Sequence, residues 1–116
     1  MKTQASVINR IAAVVTPREP YLSWARSLYE EGAPQIDDVP AEDLTTVFLL
    51  EEIENTDRLL RRHWEWLFEE ILSSWCADQK LWPRKRTFAM FQQWLETRLV
   101  DLVFDLASTP ITHEDA

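Results

Sequence analysis

Glycine is almost missing from this chain: Gly32 is the only one in 116 residues. Loops that cradle phosphate need several glycines, so that backbone N–H groups reach an anion without a Cβ in the way. The G-x-G-x-x-G, Walker and G-x-S-x-G patterns are therefore excluded. Cysteine is equally scarce. With Cys76 alone, no intramolecular disulfide and no cysteine-built zinc site exist. A lone thiol without a secretory leader implies a reducing, cytoplasmic setting. No stretch approaches the ~18 apolar residues of a membrane helix. The apolar run 7–15 is broken by Asn9 and Arg10, unlike the core of a signal peptide. Positive charge is the last shortage, with 12 Lys+Arg against 20 Asp+Glu and a formal charge of −8. Such a balance repels phosphate backbones and anionic membranes at long range, which disfavours nucleic acid and lipid as partners.

Large apolar side chains are what the sequence has. Hydrophobic residues make up 46%, including six Trp, five Phe and two Tyr. A chain this long fits one domain, 1–116, and buries roughly 65% of its unfolded surface. The β-branched run Val7–Val15 predicts a first strand. Thr16-Pro17 with Glu19 reads as a helix start, the helix placing Tyr21, Leu22, Ala25, Leu28 and Tyr29 on one face and ending at Gly32. Residues 33–43 form an acidic, proline-containing loop. Between Arg26 and Arg58 there is no Lys or Arg, and ten acids. Thr45–Leu50 is the second strand, and its four successive apolar residues suggest a central strand covered on both faces.

Asn55 or Thr56 caps the longest helix, about 57–77, with Leu60, Trp64, Leu67, Phe68, Ile71 and Trp75 as its core stripe. Arg61 and Glu65 form an i,i+4 pair on its wet side. After a break at 78–86, Thr87 caps a helix bearing Phe88, Phe91, Trp94, Leu95 and Leu99. After Arg98 the period changes to two, Val100, Leu102, Phe104 and Leu106 alternating with Asp101, Val103 and Asp105 as a half-buried strand, though the boundary with the preceding helix stays open. Residues 108–116 are a polar tail. The order β-α-β-α-α-β predicts a single compact α/β (α+β) domain: a small three-stranded sheet covered by amphipathic helices, its first β-α-β unit parallel and right-handed.

The candidate site residues divide into groups. His63 finds no ligand-type residue at i±3 or i±4, so it reads as a flank histidine. Cys76 stands about 20 Å along the same helix from His63, at ~1.5 Å per residue, which forbids a dyad of the two. It reads as a buried, unreactive thiol. Asp101 with Asp105, and Glu51 with Glu52, are acids on wet faces unless a cleft separates their pKa values. His113 lies in the tail. The one basic cluster, Lys80 to Arg86 around Trp82, suits stacking on single-stranded nucleic acid. A plainer role is to offset the dipole at the end of the long helix and pair with its glutamates. Trp24, Trp64, Trp75 and Trp94 fill the core. Trp66 and Trp82 are expected at the surface, with Arg84, Lys85 and Arg86 completing a candidate interface.

The pattern Phe68-Glu69-Glu70, Trp75, Asp78, Leu81-Trp82-Pro83, Arg86-Thr87-Phe88, Phe91 and Trp94, with Thr16-Pro17 and Pro20 upstream, resembles a family of small acidic bacterial proteins with no assigned function. The resemblance implies a bacterial cytosolic domain and supplies no activity, cofactor or functional residue. The sequence thus favours a non-enzymatic interaction or structural module. It would have no cofactor and no metal, would self-associate, and would bind a protein partner through acidic surface and exposed Trp. In a variant of this reading, the acidic segment 30–57 mimics nucleic acid. The rivals are a small enzyme using Asp/Glu or Cys76/His113 chemistry, and a weak nucleic-acid binder through Lys80–Arg86.

Overall fold

The computed structural model describes residues 6–114. Its centre is strand β2 (Arg10–Pro17), which is the middle strand of an antiparallel sheet. On one side lies β3 (Thr46–Glu51) and on the other β4 (Leu95–Val100), with Ala13 opposite both Phe48 and Leu99. The expected parallel β-α-β crossover is therefore not formed, and every pairing among the described residues is antiparallel. The physical reason is the long segment 18–45, which runs out along a helix and returns before β3 begins. It leaves the second strand free to enter from either end. Strand β1 (Ser6–Val7) pairs with β5 (Phe104–Asp105) as a separate ribbon. Four residues, 8–11, stand opposite three, 101–103, so the first strand carries a bulge between sheet and ribbon. Ile8 N–H donates to the Val103 carbonyl at 2.8 Å within it.

Helix α1 (Glu19–Ser27) starts later than the capping pattern suggested. Pro17 ends β2, Arg18 is the N-cap without a side-chain bond, and Pro20 occupies the first turn. The Arg18 N–H donates instead to the Trp94 carbonyl at 2.8 Å, tying the helix start to the opposite end of the fold. Leu28 is the C-cap, and Gly32 lies four residues beyond it with φ of 85°, the left-handed conformation glycine tolerates. The acidic loop contains a 3-10 turn at Ile36–Asp38, whose Ile36 is buried, and a single helical turn, α2 (Ala41–Leu44).

Helix α3 (Thr56–Trp75) is capped as the sequence indicates, Asn55 Oδ1 accepting from Asp57 and Arg58 N–H. Its buried stripe is Leu59, Leu67, Phe68, Ile71 and Leu72. Leu60, Trp64 and Trp75 flank the core rather than fill it. Arg61 pairs back to Asp57 at 3.3 Å, not forward to Glu65. Helix α4 (Phe88–Trp94) is capped by Thr87, whose Oγ1 accepts from Met90 N–H at 3.1 Å. It passes straight into β4 at Leu95 with no loop. Leu95 and Leu99 are thus strand residues; their separation of four puts them on one face of a helix and of a strand alike, so the spacing alone does not decide between the two.

The helices contribute the buried groups of one layer and the sheet the other, giving an α+β domain. Ile11, Ala13, Val15, Leu50 and Leu95 of the sheet meet Tyr21, Ala25, Phe68, Ile71 and Phe91 in one cluster. Rings pack edge-on within it: Phe68 lies 5.9 Å from Phe91 and 5.8 Å from Trp94. Such a pair adds about 0.5–1.5 kcal/mol to burial alone. Tyr21 donates its hydroxyl to the Ile71 carbonyl at 2.8 Å. Burial pushes the pKa of that phenol up to about 12. Trp24, Trp64, Trp75 and Trp94 all pack on this cluster.

Candidate interaction surface

Strand β3 is an edge of the sheet, not its centre, so the four apolar residues in succession are not covered on both sides. Leu50 points into the core, while Val47 and Leu49 on the opposite face are 57% and 47% exposed. The strand keeps a regular register with β2 over six pairs, from Arg10↔Glu51 to Val15↔Thr46. No proline, bulge or charge interrupts it before Glu51. Edge strands in soluble proteins ordinarily carry one of those features, which discourage a further strand from pairing.

Helix α3 runs back beside this edge. Trp66 is 60% exposed and sits edge-on to Phe48 at 5.9 Å, linking helix and strand through their rings. Spacing by four places Arg58, Arg62, Trp66 and Glu70 in one row along the helix, and all four are exposed. The first two turns of α3 carry Arg58, Arg61 and Arg62 behind one acid, Asp57, which pairs with Arg61, and its later turns carry Glu65, Glu69 and Glu70, with no basic residue in the last turn. That order opposes the helix dipole, which favours acids at the N-terminus and bases at the C-terminus. Near its start the row is anchored to the strand. Arg62 Nη1 donates to Glu51 Oε1 at 2.9 Å, and His63 Nε2 lies 3.0 Å from both Glu51 oxygens. The His63 bond above all, with help from Arg62, pulls the Glu51 carboxyl down to about 2.

The five residues predicted as an interface separate in the structure. Trp66 is exposed as expected. Trp82 is half-buried against the core, and its Nε1–H donates to the Cys76 carbonyl at 2.7 Å. Arg86 lies over the Trp82 ring at 5.8 Å and donates to Glu69 Oε1 at 3.0 Å. The basic cluster therefore pairs with a glutamate of the long helix. Arg84 and Lys85 are exposed, and Lys85 takes a positive φ of 55°. Lys80 follows Asp78, whose carboxylate caps the 3-10 turn Gln79–Leu81. Sequence reasoning missed Val47, Leu49, Arg62 and Glu70. The available signals were the uncharged stretch 44–50 and the four-residue spacing through Trp66.

A groove of about 620 Å³ opens between the end of α1, the acidic loop and the end of α3. Tyr29, Pro34, Trp75 and Leu81 supply its apolar wall. Arg26 in its lining is held by Asp37 at 2.8 Å and by Glu19. Those bonds raise the guanidinium pKa further and lower that of Asp37. Of His63, Cys76, Asp101, Asp105 and His113, the groove receives only Cys76, which is half-buried rather than fully buried. Its Sγ faces the Asp78 carbonyl at 3.8 Å, and its lining includes no histidine. Asp105 accepts from Ala107 N–H, while Asp101, Glu52 and His113 are exposed. Among the described residues, no three His, Cys, Asp or Glu side chains gather where a metal ion would be held. Nor, among them, is any helix long and apolar enough to cross a membrane. A second apolar set lies on the β1–β5 ribbon, where Val7 and Phe104 are opposed and both exposed. Compared with family models, with curated proteins and with solved structures, the chain matches none.

Proposed function

We propose that this chain is a non-enzymatic protein-interaction module whose contact surface is the β3 edge together with the outer row of α3. The observation that carries the reading is an uninterrupted apolar edge strand beside an exposed tryptophan, where Val47, Leu49 and Trp66 all face water. Burying such side chains yields about 1.5–3 kcal/mol each when burial is complete. Aromatic and aliphatic anchors of this kind, ringed by charge, are the usual centre of a protein contact. The unpaired backbone of β3 adds directional hydrogen bonds to it. A protein is the partner that uses both, because a small molecule has no strand to offer. The acidic balance of the whole chain makes this surface selective against anionic partners at long range.

The test is affinity capture from the native cell with the wild-type chain and with Leu49→Lys as baits, both checked for folding by circular dichroism. Proteins retained by the wild type and lost from Leu49→Lys support the reading. Identical captures from the two baits contradict it.

A further inference from the structure

The partner that this surface fits best is a second copy of the same chain. We infer that two copies join β3 to β3 antiparallel across a two-fold axis at Phe48, with their α3 helices side by side and antiparallel through Trp66. This inference rests on the interaction reading above and names its occupant.

Three features of the surface agree with that one axis, the third extending the second. In the strand, a dyad at Phe48 sets Val47 of one copy against Leu49 of the other, twice, so the exposed apolar residues of β3 become cross-strand neighbours that pack side by side on the open face. An even register such as this keeps matching faces together, as a pleated pair requires. In the helix, a dyad at Trp66 sets Trp66 against its own copy and Arg62 against Glu70, again twice. The Phe48–Trp66 ring contact at 5.9 Å shows that the strand centre and the helix centre are neighbours, so one axis serves both. The third feature is the charge order of α3. Bases early and acids late are unfavourable for a lone helix, but they become complementary when a second helix lies alongside in the opposite sense.

The product is a continuous six-stranded sheet with both α3 helices on one face. A six-residue strand in this arrangement contributes about six main-chain hydrogen bonds. An isologous contact closes on itself, so association stops at two copies and does not run on into a fibre. The other edge, β4, is kept out of the contact by exposed Glu96 and Arg98.

Sedimentation equilibrium decides the matter, using the full chain from about 1 μM to about 1 mM, the range that covers ordinary homodimers. The wild type is expected to reach twice 13.7 kDa. Leu49→Lys is expected to stay monomeric. Arg62→Glu and Glu70→Arg are each expected to weaken the dimer at least about tenfold, because each places two like-charged pairs at the contact. The double variant Arg62→Glu/Glu70→Arg restores both pairs and is expected to return dimerisation to within about threefold of the wild type. A structural role for either side chain alone gives no such rescue. Circular dichroism of each variant confirms that it folds. A wild type that remains monomeric throughout, or a dimer indifferent to Leu49→Lys and to the charge exchange, overturns the inference. If that result comes while Leu49→Lys still loses a captured protein, the second-copy assignment falls and the broader interaction reading stands. If Leu49→Lys changes neither measurement, both fall.

Discussion

The two edges of one small sheet are built to opposite rules. Strand β4 faces outward with Glu96 and Arg98, starts directly from a helix, and leads on to the β1–β5 ribbon. Those devices discourage any additional strand. Strand β3 has the same length and the same central partner, yet faces outward with Val47 and Leu49 and carries no charge until Glu51. Inward, the two are alike: Leu95 of β4 and Leu50 of β3 are both buried. What differs is the outer side alone, which bears on association and not on folding.

The comparison can be broken or sharpened by substitution, beginning with the largest effect. Leu95→Ala, at a position 1% exposed, is expected to cost about 2–5 kcal/mol of folding stability. Leu49→Ala on the other edge is expected to cost less than about 1 kcal/mol, since nearly half of that side chain already meets water. Urea denaturation at low micromolar concentration measures both. Equal losses would show that the two edges are not distinct.

Next come the helix caps. Asn55→Ala at the start of α3 and Thr87→Ala at the start of α4 each remove a side-chain acceptor from backbone N–H groups. Each is expected to cost about 1 kcal/mol, read from the same denaturation curves. Tyr21→Phe concerns the shared core and is expected to act at high pH. The phenol pKa is raised from 10.0 to about 12 in the folded chain. Its stabilising contribution is therefore complete below pH 10 and is lost as pH rises through about 12. Alkaline unfolding followed at 222 nm should shift to higher pH in Tyr21→Phe.

The smallest effect is at the open edge. Glu51 has its carboxyl lowered from 4.5 to about 2 in the folded chain, chiefly by His63. A lowered carboxyl stabilises above the unfolded pKa, and that stabilisation fades as pH falls from about 4.5 toward 2. Glu51→Gln should flatten this acid limb of the stability profile, and side-chain carbon shifts followed by NMR should place the Glu51 midpoint well below the ordinary carboxylate range.

Much of the helical layer was legible in the sequence, because local chemistry decides it. Asn55 and Thr87 have side-chain oxygens at the right spacing from free N–H groups, and Leu67, Phe68 and Ile71 recur at the helical period. The start of α1 was not legible. Thr16-Pro17 has a capping pattern, but Pro17 is held in the strand by pairing opposite Leu95, a tertiary contact that no local rule contains. Nor was the position of β3. An uncharged run reads as a central strand when every apolar residue in it is assumed to be buried, and here Val47 and Leu49 are exposed. Of the site, Trp66 was foreseen as exposed, because it lies off the apolar stripe. Trp82, in the break between two helices, turns inward instead, since its N–H finds the Cys76 carbonyl and its ring takes Arg86 above it.

Amide hydrogen exchange, resolved residue by residue at low and at high protein concentration, tests the difference between the edges most directly. The account predicts that alternate amides within Thr46–Glu51 become protected as concentration rises, while those of Leu95–Val100 keep one rate throughout. Protection of β3 that ignores concentration, or that rises equally along β4, would contradict it.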